Sequence, residues 1–453
     1  MSAPGLIVAA PASGSGKTTV ILALLRALRG AGTAVGAFKV GPDYVDPMFH
    51  ARASGRPSLN LDSWAMRIET LAGLADALVK DVALVLGEGV MGLFDGAADG
   101  RGSTADLASL FDLPVILVVD AHGMAASAAA LVEGFTRHRD DVEVAGIIFN
   151  RVGSEAHADL LRRACDDRFA QPVLGCLPED PRLRLPERHL GLVPVDELPQ
   201  FDDFLDRAAA TVAEHVDLER LRRLARPFGL GLYGPPPRPL RPLGQRTAVA
   251  QDLAFTFAYP AVLEGWRVAG AEILPFSPLA DEAPDASADA VYLPGGYPEL
   301  HAGRLAGNRD FMRGLRAAAE RGAAVYGECG GFMVLGERLV DRQGESHAMA
   351  GLLKVATSFA GPRLHLGYRR IKLLAASPLG PAGTTYRGHE FHYASQTEGG
   401  DVPPLFEITD ARHQPLGQTG ARSGTVCGSF LHLIDRTSEP ADVLSPTRHL
   451  RLV

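Results

Sequence analysis

The sequence has few cysteines, no long apolar run and no excess of positive charge. Four cysteines in 453 residues, scattered and without a CxxC pair, are too few for a disulfide framework. No stretch reaches the roughly 20 apolar residues that a membrane-spanning helix requires. The formal net charge of −8, with no basic run, argues against nucleic acid or an anionic membrane as the main partner.

The N-terminus also lacks the basic region and long apolar core of a signal peptide. Together with the scattered cysteines, this predicts a cytoplasmic protein with reduced thiols. The rest of the composition, 46% hydrophobic and 22% charged, is ordinary for a soluble globular protein. A chain of this length is too long for one ordinary core, so two domains are expected.

A proline-rich stretch divides the chain. Residues 227–246 are dense in proline and glycine, which suit neither a helix nor a central strand. We therefore predict a semi-extended linker between a first domain of residues 1–226 and a second domain of residues 247–453.

Short apolar runs alternate with helix-like segments on both sides of this linker. Continuous runs of this length are typical of strands that are covered on both faces of a parallel sheet. They occur at residues 6–10, 83–86, 115–119, 144–149, 247–250, 290–293 and 324–326. The end of the chain is richer in glycine, threonine and aromatic residues, which indicates an antiparallel addition. The predicted fold class is α/β, with two α/β domains.

A phosphate-binding loop follows the first apolar run. Residues 10–19 read Ala-Pro-Ala-Ser-Gly-Ser-Gly-Lys-Thr-Thr, and an apolar helix is expected from Val20 to Leu28. In such a P-loop, backbone N–H groups and the helix N-terminus surround phosphate oxygens, while the lysine reaches the terminal phosphates. Pro11 stands where the strict pattern has glycine, although the Gly-Lys-Thr core is intact. The predicted ATP-binding residues of the loop are Gly14, Ser15, Gly16, Lys17, Thr18 and Thr19.

Acidic residues follow two other strands of the first half. Glu88 lies just past one apolar run, and Asp43, Tyr44 and Asp46 share a loop with Lys39 after another. Carboxylates at the C-terminal ends of parallel strands lie where α/β proteins bind ligands. Aspartates before proline or glycine are also frequent turn formers. Beside a P-loop, the favoured interpretation is contact with a metal ion or a substrate.

The second half contains the pattern of a nucleophile elbow. Residues 324–335 read Ala-Val-Tyr-Gly-Glu-Cys-Gly-Gly-Phe-Met-Val-Leu, which places Cys329 between small residues at a strand-to-helix turn. The N–H groups that follow the cysteine and the helix dipole favour the thiolate and an oxyanion. An inert buried cysteine is the competing interpretation, and the flanking glycines favour the elbow.

A thiolate nucleophile needs a base, and the sequence offers His389, His392 and His432. Spacing along the chain cannot choose among them, because the partner is adjacent in space. Gly295 and Gly296, after another apolar strand, can present backbone N–H groups to a tetrahedral intermediate, although such a pair is also an ordinary turn. The predicted oxyanion donors are the N–H groups of Gly296 and Gly330.

Read in order, these motifs resemble the cobyrinic or hydrogenobyrinic acid a,c-diamide synthases of cobalamin biosynthesis. The resemblance covers nearly the whole chain and implies a P-loop domain similar to dethiobiotin synthetase, followed by a domain similar to class I glutamine amidotransferases. Besides the P-loop, it rests on Lys-Val-Gly-Pro-Asp-Tyr-Val-Asp-Pro at 39–47, Glu-Gly-Val-Met-Gly-Leu-Phe-Asp-Gly at 88–96, Gly-Gly-Tyr-Pro-Glu at 295–299, Gly-Glu-Cys-Gly-Gly at 327–331 and Gly-Ser-Phe-Leu-His at 428–432.

The resemblance implies roles for residues of both domains. Cys329 would take the glutamine amide as a thioester, and His432 would be its base. Ordinary class I amidotransferases carry a glutamate two residues after that histidine, where this chain has Ile434, so the third triad member is absent or replaced. Asn150 is expected to contact adenine. The residues implied to complete a Mg²⁺ shell are Thr18, Asp43 and Glu88. The residues implied to face the corrinoid are Tyr44, Asp46 and Asp95.

The implied function is ATP- and glutamine-dependent amidation of the a and c acetate carboxylates of hydrogenobyrinic or cobyrinic acid. The carboxylate would become an acyl phosphate, which requires mainly positioning and charge neutralisation by Lys17 and Mg²⁺. Ammonia released at Cys329 would then displace the phosphate. A homodimer is expected from the resemblance alone.

Two kinds of alternative remain open at this point. The first is an amidoligase for another substrate, such as a nickel sirohydrochlorin, or a cobyric acid synthase. The second is a P-loop switch or partitioning ATPase fused to an inactive amidotransferase-like module. The intact elbow at Cys329 argues against the second alternative, which glutaminase activity would exclude.

Overall fold

The computed structural model describes residues 3–166, 168, 170–188, 191–192, 195–231, 238–399 and 402–437. Residues 232–237 of the predicted linker and residues 438–453 of the predicted second domain lie outside the described residues. Within these ranges, no helix has both the length and the apolar character that crossing a membrane requires.

The first half is built on a parallel sheet. Its strands are β1 (Pro4–Ala9), β2 (Val35–Val40), β3 (Ser58–Leu61), β4 (Leu84–Glu88), β5 (Val115–Asp120), β6 (Val144–Val152) and β7 (Val173–Pro178). The strand order is β3-β2-β4-β1-β5-β6-β7, so the order reverses beside β1. Such a reversal leaves a crevice at the carboxyl ends of the strands, where α/β folds bind their ligands.

Helices cover both faces of this sheet, as the apolar strands require. They are α1 (Lys17–Gly30), α2 (Asp46–Ser54), α3 (Ile68–Leu78), α4 (Thr104–Phe111), α5 (Ser127–Arg137), α6 (Glu155–Asp166), α7 (Phe201–His215) and α8 (Leu218–Leu224). Strand β8 (Glu187–Arg188) pairs antiparallel with β9 (Gly191–Leu192). Helix α1 packs against α2 and α7, which fixes the helix that begins at the P-loop.

The start of the predicted linker is attached to the first half. Strand β10 (Arg226–Pro227) pairs antiparallel with the beginning of β1. The ring of Phe228 is buried and packs against Phe38 and Phe111. Residues 226–228 therefore belong to the first half, because burial of the Phe228 ring stabilises their attachment to it.

The strands of the second half follow from residue 246. They are β11 (Arg246–Ala250), β12 (Glu272–Phe276), β13 (Ala290–Leu293), β14 (Ala324–Glu328), β15 (Arg338–Val340), β16 (Ser346–Ala348), β17 (Val355–Ser358), β18 (His365–Leu373), β19 (Thr385–His392), β20 (Ser395–Gly399), β21 (Phe406–Thr409), β22 (Pro415–Thr419), β23 (Ala421–Ser423), β24 (Val426–Ser429) and β25 (Leu431–Arg436). Its helices are α9 (Pro260–Val268), α10 (Ala302–Gly307), α11 (Arg309–Glu320) and α12 (Gly330–Leu335).

These strands form a parallel sheet and an antiparallel addition. The main sheet has the order β12-β11-β13-β14-β24-β23, parallel from β12 to β24. A second sheet, β22-β21-β18-β19-β25, is antiparallel. A third has the order β16-β15-β17-β20. The predicted α/β class, the parallel strands and the antiparallel addition near the end of the chain are thereby confirmed.

The two halves meet along an extensive interface. The hydroxyl of Tyr259 donates to the carbonyl of Pro42 at 2.8 Å, and that of Tyr368 donates to Asp62 at 2.8 Å. Arg67 pairs with the buried carboxylate of Asp435 at 2.9 Å. One hydrophobic core cluster includes residues of both halves, so the two domains share buried surface.

Candidate active site

The P-loop lies at the carboxyl end of β1, where the strand order reverses. Gly14 and Gly16 have φ values of 78° and 87°, a left-handed conformation that favours glycine. A Cβ atom on Gly16 would also lie 2.3 Å from Nδ2 of Asn150. That amide donates to the carbonyl of Ser15 at 3.0 Å. Asn150, predicted to contact adenine, therefore holds the loop itself, and it also lines the adjoining cavity.

Lys17 begins α1 and folds back across the loop. Its Nζ donates to the carbonyl of Met91 at 2.6 Å and to that of Ala12 at 3.2 Å. Burial, reinforced by the charge of nearby Lys39, lowers the pKa of Lys17 to about 8. Among the described residues no carboxylate forms an ion pair with this ammonium group, although Glu88, Asp46 and Asp95 act on it from further away. It therefore suits a phosphate ligand.

Glu88 is the centre of a buried network of polar side chains. Its carboxylate accepts a hydrogen bond from Oγ1 of Thr18 at 2.5 Å, lies 2.6 Å from Nε2 of His50 and pairs with Nζ of Lys39 at 3.0 Å. Lys39 also pairs with Asp46. Burial alone would raise the pKa of Glu88, but Lys39, His50 and Thr18 outweigh it and hold the pKa well below its usual range. The carboxylate is therefore ionised.

The three predicted metal ligands approach one cavity in different ways. Thr18 and Glu88 meet directly, and both line the cavity together with Asp43. One oxygen of Asp43 also accepts the backbone N–H groups of Val45 at 2.8 Å and Asp46 at 3.1 Å, at the start of α2. Hydroxyl and carboxylate oxygens are the donors that Mg²⁺ prefers. The set fits Mg²⁺ chemically.

The cavity beside the P-loop has a volume of about 820 Å³. This is the size of a pocket for a ligand such as a nucleotide. Arg151 borders it, donates to the carbonyl of Gly14 at 2.9 Å and pairs with Asp120. Oγ1 of Thr19 donates to the carbonyl of Leu183 at 3.3 Å, so the loop is also tied to the segment that follows β7. Sequence reasoning missed Arg151 and His50, because no motif signals either residue.

The residues predicted to face a corrinoid do not form one surface. Asp46 is buried beside Lys39 and lines the P-loop cavity. Asp95 is exposed, and its Oδ2 accepts the N–H of Gly92 at 2.9 Å. Tyr44 lies on the opposite side of its loop, at the interface between the two halves. Its ring is 4% exposed and stacks on Phe257 with centroids 4.2 Å apart.

Cys329 occupies a strained turn between β14 and α12. Its φ and ψ values of 46° and −103° are unusual for a residue with a side chain and are typical of a nucleophile elbow. Its N–H donates to the carbonyl of Ser429 at 2.8 Å. A Cβ atom on Gly331 would lie 1.9 Å from the carbonyl oxygen of Leu293, so only glycine fits there. Burial raises the pKa of the Cys329 thiol well above its usual range.

Of the three candidate bases, His432 lies beside this elbow. Its Nδ1 is 3.7 Å from Oε2 of Glu328, the residue that precedes the nucleophile. In the described part of the chain, neither ring nitrogen of His432 has a hydrogen-bond partner. His392 instead uses its nitrogens on Ala394 and Glu390. His389 faces His432 across the strand pair, and burial together with His432 lowers its pKa to about 3.

The two predicted oxyanion donors are neighbours. A Cβ atom on Gly330 would lie 3.0 Å from the backbone nitrogen of Gly296. The structure therefore brings together the N–H group after the nucleophile and the glycine pair after β13. Tyr44, from the first half, is also close, with its ring centroid 4.9 Å from that of His432. The cysteine centre is thus lined by residues of both halves.

A parallel sheet with a P-loop, joined to a second parallel sheet with a cysteine elbow, defines a nucleotide-binding glutamine amidotransferase. Two family models agree with this class. A CobQ/CobB/MinD/ParA nucleotide binding domain matches residues 6–193, and a CobB/CobQ-like glutamine amidotransferase domain matches residues 246–439.

Relatives identify the family within this class. The hydrogenobyrinate a,c-diamide synthase of Brucella anthropi is 53% identical over 439 residues, covering 96% of this chain and 100% of the relative. The synthase of the same name from Rhizobium meliloti is 53% identical, covering 95% of this chain and 99% of the relative. That of Agrobacterium fabrum is 50% identical, covering 96% and 99%. The chain belongs to the hydrogenobyrinate a,c-diamide synthase family, and it is a glutamine-dependent amidating ligase.

Proposed function

We propose that this protein converts the a and c acetate carboxylates of hydrogenobyrinic acid into amides, with ATP and glutamine as co-substrates. The observation that carries the proposal is the loop between β2 and α2. On one side Asp43 of this loop and Asp46 at the start of α2 line the P-loop cavity, and on the other side Tyr44 packs against His432 of the cysteine centre. The cobalt-free corrinoid is chosen because it is the acid named for the relatives.

The first step takes place in the P-loop cavity, which we assign to a domain of residues 1–226. A substrate carboxylate oxygen attacks the γ-phosphorus of ATP, ADP leaves, and an acyl phosphate forms. Lys17 and Lys39 neutralise charge on the transferred group. The oxygens of Thr18, Asp43 and Glu88 would hold Mg²⁺, which when bound supplies further charge neutralisation at the phosphates.

Ammonia is produced at the cysteine centre, in a domain that we assign to residues 247–453. Cys329 gives its proton to His432, and the thiolate attacks the side-chain amide carbon of glutamine. The N–H groups of Gly296 and Gly330 stabilise the resulting oxyanion. His432 returns the proton to the leaving nitrogen, so that ammonia departs and a thioester remains. Water then releases glutamate and the free thiol.

Ammonia completes the reaction in the P-loop cavity. Its lone pair attacks the acyl phosphate carbon, the carbon–oxygen bond to phosphate breaks, and a proton is lost from nitrogen to give the amide. Ammonia that escaped to water would mostly become ammonium at neutral pH and lose its nucleophilicity. We therefore propose that it passes by the loop that carries Tyr44.

The geometry refines the predicted corrinoid contacts. Asp46 lines the cavity, and Asp95 lies outside its lining but close enough to Lys17 to influence its pKa, so we keep both as proposed corrinoid contacts. Tyr44 is enclosed by Phe257 and His432, and we assign it to the interface instead. We also propose a homodimer and a cytoplasmic location, and light scattering tests the first of these.

Mass spectrometry of the corrinoid product tests the proposed function. Purified protein is incubated with Mg²⁺, ATP, glutamine and hydrogenobyrinic acid, and a parallel reaction contains cobyrinic acid. We expect two successive replacements of a carboxyl OH by NH₂, together with ATP consumption and preference for the cobalt-free acid. An unchanged corrinoid mass in both reactions, with intact glutaminase activity, would overturn the substrate assignment. Absence of glutaminase activity would favour the switch-ATPase alternative.

A further inference from the structure

The residue two positions after His432 cannot orient it by hydrogen bonding. Residues i and i+2 of a strand share one face, so a glutamate at position 434 would stand beside the histidine. Here that position is Ile434, which is buried and apolar. A catalytic imidazole normally has one nitrogen held by a carboxylate or carbonyl, which fixes its tautomer and orientation.

Glu328 offers a carboxylate from a different strand. It is the last residue of β14, immediately before Cys329, and is 2% exposed. The hydroxyls of Tyr292 and Tyr326 each donate to it at 2.9 Å. The N–H of Leu433 donates to its Oε1 at 3.2 Å. The carboxylate is therefore held in one orientation from three sides.

The fourth neighbour of this carboxylate is the imidazole of His432. Its Oε2 lies 3.7 Å from Nδ1 of His432, slightly longer than a hydrogen bond. Other titratable groups of the centre are Cys329 at the elbow, Tyr44 from the first domain and His389 across the strand pair. The carboxylates of Glu299 and Glu390 also act on the Cys329 thiol. Among the described residues, Glu328 is the carboxylate that lies within 4.0 Å of the imidazole.

We propose that Glu328 is the positioning residue that replaces the third triad member, holding His432 with Nδ1 toward the carboxylate and leaving Nε2 for the Cys329 thiol. The orienting carboxylate thus comes from the strand of the nucleophile rather than from that of the base. When the thiol proton moves to Nε2, the adjacent carboxylate stabilises the imidazolium, and no proton needs to move to Glu328. The two partners of His432, the carboxylate of Glu328 and the thiol of Cys329, then belong to consecutive residues of the chain.

This inference rests on the proposed glutamine chemistry, and three variants test it. Glu328→Gln keeps size and one acceptor oxygen but removes the charge, Glu328→Asp keeps the charge, and Glu320→Gln removes an exposed carboxylate at the end of α11 as the matched control. Glutaminase kcat and KM are measured across pH, and ammonium-supported corrinoid amidation is measured in parallel.

Glu328→Gln should lower glutaminase kcat roughly 10- to 100-fold, by analogy with the carboxylates that orient metal-bound histidines, with little change in KM for glutamine. The acidic limb of kcat/KM should move to lower pH, because an imidazole without its neighbouring carboxylate is protonated less readily and stays available as the base at lower pH. Glu328→Asp should restore the pH profile of the wild type, and Glu320→Gln should match the wild type. Ammonium-supported amidation should be unchanged in all three variants.

Equal losses in Glu328→Gln and Glu328→Asp with an unshifted pH profile would overturn the proposal, because they would show a packing role. If Glu328→Gln does not fold, Tyr292→Phe and Tyr326→Phe loosen the carboxylate without changing its charge. They should lower kcat less and leave the pH profile in place, and unchanged kcat in both would contradict the proposal. Absence of ammonium-supported amidation in the wild type would refute the proposed corrinoid chemistry, whereas the glutaminase comparison would still decide the role of Glu328.

Discussion

At the P-loop cavity, buried acidic and basic side chains pair around Glu88, whereas at the cysteine centre the expected base is buried without a hydrogen bond among the described residues. Glu88 is shared by Lys39, His50 and Thr18, and Lys39 also holds Asp46. In contrast, burial raises the pKa of the Cys329 thiol well above its usual range. Its expected base, His432, makes no hydrogen bond within the described ranges, although a carboxylate stands 3.7 Å away.

The difference follows from what each site must bind. A nucleotide brings several negative charges, so its site needs fixed cations and anions that are already in place. Glutamine presents a neutral amide to the nucleophile, and burial keeps the Cys329 thiol protonated until His432 accepts its proton. Loss of one charge at the P-loop cavity should therefore lower the free energy of unfolding. Substitutions at the cysteine centre should lower the reaction rate alone. Four changes test this contrast.

The largest expected effect is on the nitrogen source. Cys329→Ala should reduce glutamine-dependent amidation by more than roughly 10⁴-fold, because the nucleophile is lost, while amidation with ammonium salts continues. Product formation with each nitrogen source is measured by mass spectrometry. Cys176→Ala, at another buried cysteine, is the matched control and should keep glutamine use. Loss of the ammonium-driven reaction in a folded Cys329→Ala protein would show that the two sites are not separate.

The second change breaks the buried charge network. Glu88→Gln should destabilise the first domain by about 3–5 kcal/mol, because Lys39 loses a buried counter-charge, and amidation should be lost. Urea unfolding measures the change. A Glu88→Gln/Lys39→Met/Asp46→Asn triple variant, which also removes the carboxylate that Lys39 would leave unpaired, should recover part of the stability. Cys329→Ala, which removes no member of a buried ion pair, is the comparison and should lose much less. Equal stability of Glu88→Gln and the wild type would contradict the expected difference in stability effects between the P-loop cavity and the cysteine centre.

The third test measures how ATP affinity depends on pH. The pKa of Lys17 in the free protein is lowered to about 8 by burial and then by the charge of Lys39. A cation with a lowered pKa is charged below that pH and neutral above it, and bound phosphates favour the charged form. ATP affinity should therefore be constant below pH 8 and fall by up to about tenfold for each unit above it. Calorimetric titration of ATP at several pH values measures this. A flat affinity up to pH 10 would contradict the assignment.

The smallest expected effect comes from the loop that carries Tyr44, between the P-loop cavity and the cysteine centre. Tyr44→Ala should let ammonia escape, because the ring that fills the space beside His432 and Phe257 is lost. The measured quantity is the ratio of glutamate formed to amide formed, which should rise. Tyr44→Phe keeps the ring and should keep the ratio, since the hydroxyl has no hydrogen-bond partner among the described residues. The same ratio in Tyr44→Ala and the wild type would place the ammonia path elsewhere.

Local patterns predicted much of the fold and the chemistry. The apolar runs at 115–119 and 290–293 became β5 (Val115–Asp120) and β13 (Ala290–Leu293), because buried parallel strands need continuous apolar residues. The P-loop and the cysteine turn were also visible, since their glycines and their Lys or Cys lie consecutively in the chain.

Contacts between distant segments could not be predicted. His50 reaches Glu88 across 38 positions, and Glu328 meets His432 across 104. No spacing rule covers such pairs, because they depend on which strands become neighbours. Tyr44 shows the same limit, since its motif indicated a substrate contact and the packing of the two halves turned its ring toward the other centre.

The most direct test of the account is an isotope competition. The protein is supplied with hydrogenobyrinic acid, ATP and glutamine labelled with ¹⁵N in the side-chain amide, in a buffer that contains excess unlabelled ammonium. If ammonia passes between the two centres without mixing with solvent, the diamide should carry the label at both new amides. A product labelled only in proportion to the bulk ammonia pool would contradict the account.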